Sequence, residues 1–348
     1  MKSGSTLQEV AQEVARQKAA ATDYVAASEG VDFNEVDGDV LVGAGGWNYP
    51  ATQLAHRQIG EKHGIPARHY DRLRADFPDL LAEELNRIGK KEPSRRLIRT
   101  LDGRVRAFLS DRYRRLDNWA VVEEALPALQ DATDGDWSFQ SAEVTDTSMY
   151  LKAMLPKLEA TVRNVGDVVR GGISLQNSEV GLGSLSLQQL VITLICSNGC
   201  VMPDGKYRRT HLGRELDDGH QFRSDNTQRL TDRAIMAQLG DTIRGMLSEE
   251  RFIAAVNRLG DATEQEVTGR PQNAVEEVSK RFALSDDESD SVLSHLIRGG
   301  DLSKYGIHAA MTRASQDVED YDRASDMEKF GGKVIELPAS DWKVISTA

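Results

Sequence analysis

The chain has 348 residues, of which 39% are hydrophobic and 28% charged, with a formal net charge of -12. That composition belongs to a globular protein with one large or two smaller cores, and it excludes a disordered chain or one with an apolar run of roughly 20 residues able to span a bilayer. The acidic balance argues against a general DNA coat, and residues 1–10 lack the apolar segment of a secretory signal, which predicts a cytoplasmic protein.

In chain order, Leu7, Val10 and Val14 are spaced for a helix within residues 5–27. Residues 31–49 read as a short extended or turn-rich stretch, and the Gly43-Ala44-Gly45-Gly46 run reads as a tight connection, since no Gly-Lys-Ser/Thr follows to make a phosphate loop. Residues 51–89 hold two or three short helices, the first two broken at Gly64 to Pro66 with the look of a helix-turn-helix. Asp102-Gly103 marks a hairpin, and Asn118 is the expected cap of the next helix, which Pro127 is expected to kink or end. Strands are predicted over 137–144 and 148–155, and again over 167–179. The continuous apolar run after Leu185 fits either a strand, which its β-branched residues favour, or a helix over 186–197 begun at Ser186–Leu190 and ended by Asn198-Gly199, and the helix is the expectation. Beyond Arg223 the spacing is helical, with a short strand expected at Lys333 to Leu337.

These elements predict an α+β fold, with a central antiparallel sheet packed by helices and helical N- and C-terminal regions. The expected divisions are 1–92, mainly helical; 93–222, the α+β core; and 223–348, mainly helical.

Charge is unevenly spread. Eight arginines, including Arg99, Arg106, Arg112, Arg114 and Arg115, fall within residues 95–115, opposed there only by Asp102 and Asp111. Lys206, Arg208, Arg209, His211 and Arg214 form a second cluster, whereas residues 261–348 carry 18 acids against 10 bases. Two basic patches on an acidic chain suit a local nucleic-acid groove or, alternatively, a solvated face paired with the chain's own acids. In the first reading Arg112, Arg114, Arg115, Arg170, Lys206, Arg208 and Arg209 meet phosphates. Tyr113 or Tyr207 stacks on a base, and Asn177 offers a neutral donor.

Other chemistries find less in the sequence. Cys196 and Cys200 are too few for a disulfide framework or a closed zinc site, so both are expected to be buried free thiols, and nothing brings Cys196 to His211 as a nucleophile and base. Glu143, Asp146, Asp167 and Glu179 flank predicted strands and leave a divalent-metal nuclease open as an alternative. No cofactor or resident metal is expected.

Residues 106–118 ("RAFLSDRYRRLDN"), 166–187 ("GDVVRGGISLQNSEVGLGSLSL"), 195–201 ("ICSNGCV"), 208–213 ("RRTHLG") and the stretch from Tyr305 to Val334 together resemble the phage- and plasmid-like protein family, a prokaryotic domain of unknown function. The resemblance runs from about residue 50 to 340 and implies a gene carried by bacteriophages, prophages or plasmids, with no assigned activity. The order of hairpin strands and helix also resembles, in topology, the ring-forming single-strand annealing proteins of phage recombination. That likeness implies an oligomer binding single-stranded DNA, with Arg170, Lys206, Arg208 and Arg209 on one wall of a groove and Arg112, Arg114 and Arg115 on the other. A metal-dependent DNA-processing enzyme and an accessory protein that binds a host protein are the alternatives.

Overall fold

The computed structural model describes residues 2–194, 198–209 and 225–348, with side chains from 200–202 and from 230 onward in the last two segments. Among the described residues it is an α+β fold of twelve α-helices and three antiparallel sheets.

Helix α1 (Leu7–Ala20) starts at a capping box in which Thr6 and Glu9 satisfy each other's backbone N–H groups. It buries Val10 and Val14 and ends at Ala21, well short of residue 27. The chain then extends as β1 (Thr22–Ala27), which pairs with β5 (Arg95–Leu101), itself joined to β6 (Arg104–Ser110) through the expected Asp102-Gly103 turn. Both turn residues have positive φ, 51° and 71°, the geometry that suits a two-residue hairpin to the strand twist. A sheet therefore joins residues on either side of position 92.

Residues 31–49 are more regular than their glycines suggest: β2 (Val31–Val36), β3 (Asp39–Ala44) and β4 (Trp47–Pro50) form a meander. Helices α2 (Gln53–Lys62), α3 (Ala67–Asp76) and α4 (Pro78–Lys91) share its core, which includes Val42, Ile59, Leu81 and Leu85. Tyr70 of α3 is buried there and meets His56 of α2, Nδ1 to Oη 2.9 Å. Burial lowers the His56 imidazole to about 4.

The central sheet consists of β7 (Ser138–Val144), β8 (Met149–Thr161), β9 (Val168–Asn177), β10 (Leu185–Thr193) and β11 (Asn198–Arg209), in the order β11-β10-β9-β8-β7. The helix expected over 186–197 is thus a strand through Thr193; residues 195–197 lie outside the described ones. Leu187 and Val191 belong to clusters on one face and Leu190 and Ile192 to a cluster on the other. A strand covered on both faces shows no alternation, so its apolar run mimics a buried helix.

Helix α5 (Asn118–Thr133) begins one residue earlier than expected, with Asp117 rather than Asn118 at the N-cap, and continues through Pro127. With α1 and α6 (Asp225–Met246) it covers one sheet face in a core containing Leu129, Leu151, Ile173 and Leu239. Helix α7 (Glu249–Thr263) extends that layer, with Phe252 in a cluster with Val169 and Val191.

The remaining chain forms α8 (Pro271–Phe282), α9 (Asp286–Gly299), α10 (Lys304–Ala314), α11 (Tyr321–Ile335) and α12 (Ala339–Ser346). The strand expected at Lys333 to Leu337 is instead the last turn of α11 and the turn after it: Val334 and Ile335 fill helical core positions, which their β-branched character concealed. His308 of α10 is buried against α11, its Nδ1 3.0 Å from the Gly331 carbonyl, and burial lowers it to about 4.

Helix α11 is keyed to the sheet by a buried ion pair. Lys152 Nζ donates to Glu328 Oε2 at 2.5 Å, with the two side chains 1% and 0% exposed. Tyr321 and Ser141 share a hydroxyl contact of 2.6 Å beside it, and the Lys2 backbone N–H donates to Glu328 Oε1. Desolvation opposes the Lys152 charge, but Glu328 outweighs it and holds the ammonium above its ordinary value.

Close strand approach also favours glycine at 172, where a Cβ meets the Ala153 carbonyl oxygen at 2.1 Å and forces the strands to shift. Gly172→Ala is expected to cost about 1–3 kcal/mol by overpacking, read as a fall in the urea midpoint. Gly245→Ala on α6, where a Cβ meets nothing within 4 Å, is expected to be neutral or mildly stabilising.

Candidate nucleic-acid interface and the charged cavity beside it

Residues 111–117 connect β6 to α5 across one end of the central sheet. Tyr113 is buried and donates its hydroxyl to the Ser178 carbonyl at 2.8 Å. Asn177 is fully buried and donates from Nδ2 to the Leu116 carbonyl and to Asn118 Oδ1, each at 2.8 Å. Both therefore fasten the connector to the end of β9 and the residue after it, and neither presents a free face for stacking or a free donor for a base.

Three arginines on this connector differ in setting. Arg112 is exposed, Arg114 is half-buried, and Arg115 is exposed with Nε 3.7 Å from Asp23 Oδ2. Asp232 on α6 stands near them: burial raises its carboxyl, with Arg114 pulling the other way.

The second basic segment reaches the same end of the sheet. Pairing sets Ser186 opposite Gln176 on β9 and opposite Arg208 on β11, and Leu185 opposite Arg209. Two strand spacings put the Arg208 backbone about 10 Å from that of Gln176, next to Asn177 and Ser178, which hold the connector. The side chains of Lys206, Tyr207, Arg208 and Arg209 lie outside the described residues, as do Cys196, His211, Arg214 and His220.

Arg170 is not part of this grouping. It sits seven residues earlier on β9 than Asn177, toward the other end of the strand, and its guanidinium contacts Glu159 Oε2 at 2.8 Å. The four acids considered for metal are also dispersed. Glu143 accepts from Ser5, Asp167 accepts from Tyr305 at 2.7 Å, Glu179 pairs with Arg106, and Asp146 lies in the β7–β8 turn. No group of three or more metal-ligating side chains occurs among the described residues. Cys200 is a buried free thiol, pushed up to about 12 by burial.

Beside the connector lies a feature that sequence reasoning missed. Arg99 of β5 is 2% exposed and fully engaged: Nε donates to Asp23 at 2.9 Å, Nη1 to the Glu179 carbonyl at 3.0 Å, and Nη2 to Asp117 at 2.5 Å. Desolvation opposes its charge, and Asp117, Asp23 and Glu179 more than restore it. Arg106 of β6 pairs with Glu179 Oε2 at 2.6 Å, while Glu179 Oε1 accepts the Asn118 backbone N–H at 2.5 Å. Burial raises the Asp117 carboxyl above its ordinary range, with Arg99 opposing.

These groups wall a cavity of about 360 Å³, completed by Val14, Gln17 and Lys18 of α1 and by Trp119 of α5. The Lys18 ammonium lies 4.1 Å from the Trp119 ring centroid. Arg106 Nε and Trp119 Nε1 are buried without a hydrogen-bond partner among the described residues. The available sequence signal was an arginine at a strand position flanked by buried neighbours: Ile98-Arg99-Thr100 and Val105-Arg106-Ala107 each place a charge inside an otherwise core-forming strand.

Residues 107–332 match a family described as Domain of unknown function (DUF932), which is well over half of the chain. No curated protein and no solved structure matches it.

Proposed function

Because the chain belongs to the DUF932 family, whose domain has no assigned function, its activity is argued from its own residues, and we propose that it binds single-stranded DNA at the connector end of the central sheet. The observation that supports this reading is the β9–β10–β11 register, which puts the Arg208 backbone about 10 Å from that of Gln176, the neighbour of Asn177, to which the segment bearing Arg112, Arg114 and Arg115 is fastened. Two runs about 90 residues apart thereby gather cationic residue types at one end of an acidic protein. Phosphates favour such a local concentration even where the net charge is negative. Strand annealing by an oligomer, on a phage, prophage or plasmid gene, belongs to the same proposal.

Fluorescence anisotropy with a labelled single strand and an equal-length duplex, from 50 to 300 mM salt, tests it. The expected result is preference for the single strand and a steep loss of affinity with salt. Arg208→Ala/Arg209→Ala is expected to lower the salt slope by about 2, one for each phosphate contact removed. No binding at 50 mM salt, or an unchanged slope in the double variant, overturns it. An annealing assay with light scattering then tests the oligomer.

A further inference from the structure

We propose that the cavity between α1, α5 and the β1-β5-β6 sheet holds one nucleobase of the bound strand, an inference that rests on the single-stranded DNA reading. Three features select a nucleobase. The walls carry Lys18, Arg99 and Arg106 against Asp23, Asp117 and Glu179, a balance that favours a neutral ligand over a phosphate or a cation. Their hydrogen-bonding capacity is mixed. Asp117 engages Arg99 through Oδ1, leaving Oδ2 to accept, and Gln17 and Asn118 line the same space with amides. Arg106 carries a buried Nε–H without an acceptor among the described residues, a deficit that a ligand carbonyl ends after a small turn of that side chain. A base edge, with N–H donors and carbonyl or ring-nitrogen acceptors side by side, meets both needs.

The third feature is planar. The Trp119 indole lines the cavity and holds the Lys18 ammonium over its face. A base stacks there when the flexible lysine swings away, and aromatic stacking is a sequence-tolerant way to hold single strands. The volume, about 360 Å³, is at the small end of ligand sites and suits one base rather than a dinucleotide. The backbone of such a nucleotide leaves past Asp23, where Arg115 stands 3.7 Å away and Arg114 belongs to the same connector.

The test uses the full chain with free nucleosides, with inorganic phosphate, and with single-stranded oligonucleotides that are intact or carry one abasic position. Isothermal titration and tryptophan fluorescence are the readouts. Saturable nucleoside binding that phosphate does not compete supports the site. Trp119→Leu is expected to weaken nucleoside and intact-strand binding by roughly 5- to 150-fold, the span of one lost base–aromatic stack, while the salt slope of strand binding is kept. Asp117→Asn, similar in size, supplies a second variant should Trp119→Leu not fold, and is expected to change the preference among the four nucleosides. Strand binding with a normal salt slope, no nucleoside binding and no effect of either variant overturns the base site and leaves strand binding standing. Nucleoside binding lost in Trp119→Leu, with no strand bound at low salt, overturns the strand reading and keeps the cavity as a nucleoside site. Absence of both kinds of binding overturns both.

Discussion

Lys152→Met is expected to destabilise the fold by about 3–5 kcal/mol, because it strands the Glu328 carboxylate, 0% exposed, without its cation. The Lys2 backbone N–H remains near Glu328 Oε1, but one amide does not replace a charge. Lys152→Met/Glu328→Leu removes both charges and is expected to recover most of the loss, since a buried ion pair is often no better than an apolar pair of similar volume. Urea denaturation of the single and double variants measures the difference. A single variant within 1 kcal/mol of the parent shows that water or another group reaches Glu328, and refutes the pairing as the lock between α11 and the sheet.

Acid should act through buried histidines, of which His63 is also lowered by burial and His56 and His308 are shifted most. His56 and His308 both stand near 4 in the folded chain against 6.5 ordinarily, and burial is the main cause in each. For His56, Arg74 lowers it further while Asp39 and Asp71 pull it back up; His308 has only the Gly331 carbonyl raising it. The folded state thus refuses a proton that the unfolded chain accepts below pH 6.5. Their stabilising effect is complete above that pH and is lost as the pH falls toward 4. Each histidine amounts to about 3 kcal/mol over that window, and together they give a slope of about 2.7 kcal/mol per pH unit near its middle. Asp117 works in the opposite sense, because its raised carboxyl favours the folded state as it protonates, so the observed slope is somewhat smaller. Urea midpoints at pH 7, 6 and 5 should fall steadily, and a stably folded His308→Asn variant should show a slope smaller by about 1.4 kcal/mol per pH unit. Flat stability across that range contradicts neutral burial of both rings.

Local chemistry made much of the architecture readable before any coordinates. Asp102-Gly103 encodes its own turn, and the spacing of Leu7, Val10 and Val14 announces α1. The errors came where tertiary burial overrides pattern. β10 is apolar on both faces and therefore looked helical, while Val334 and Ile335 looked extended although α11 buries them. The charged cavity depends on partners far apart in sequence: Arg99 reaches Asp23 across 76 residues and the Glu179 carbonyl across 80. No window of sequence contains that juxtaposition. Tyr113 and Asn177 illustrate the same limit from the other side, since residue types suited to a binding surface turn inward to fasten it.

The Lys152–Glu328 pair also carries a consequence for the order in which the chain is made. Its members are 176 residues apart, so at roughly 5–20 residues per second a ribosome needs about 10–35 s after producing Lys152 before Glu328 exists. From the completion of β11 until α11 follows, the nascent sheet holds a lysine without its carboxylate on the face that α11 will cover. Docking there early would bury a lone charge, which disfavours premature collapse onto that face. The residue that locks the finished sheet is thus expected to disfavour premature burial of that face during synthesis.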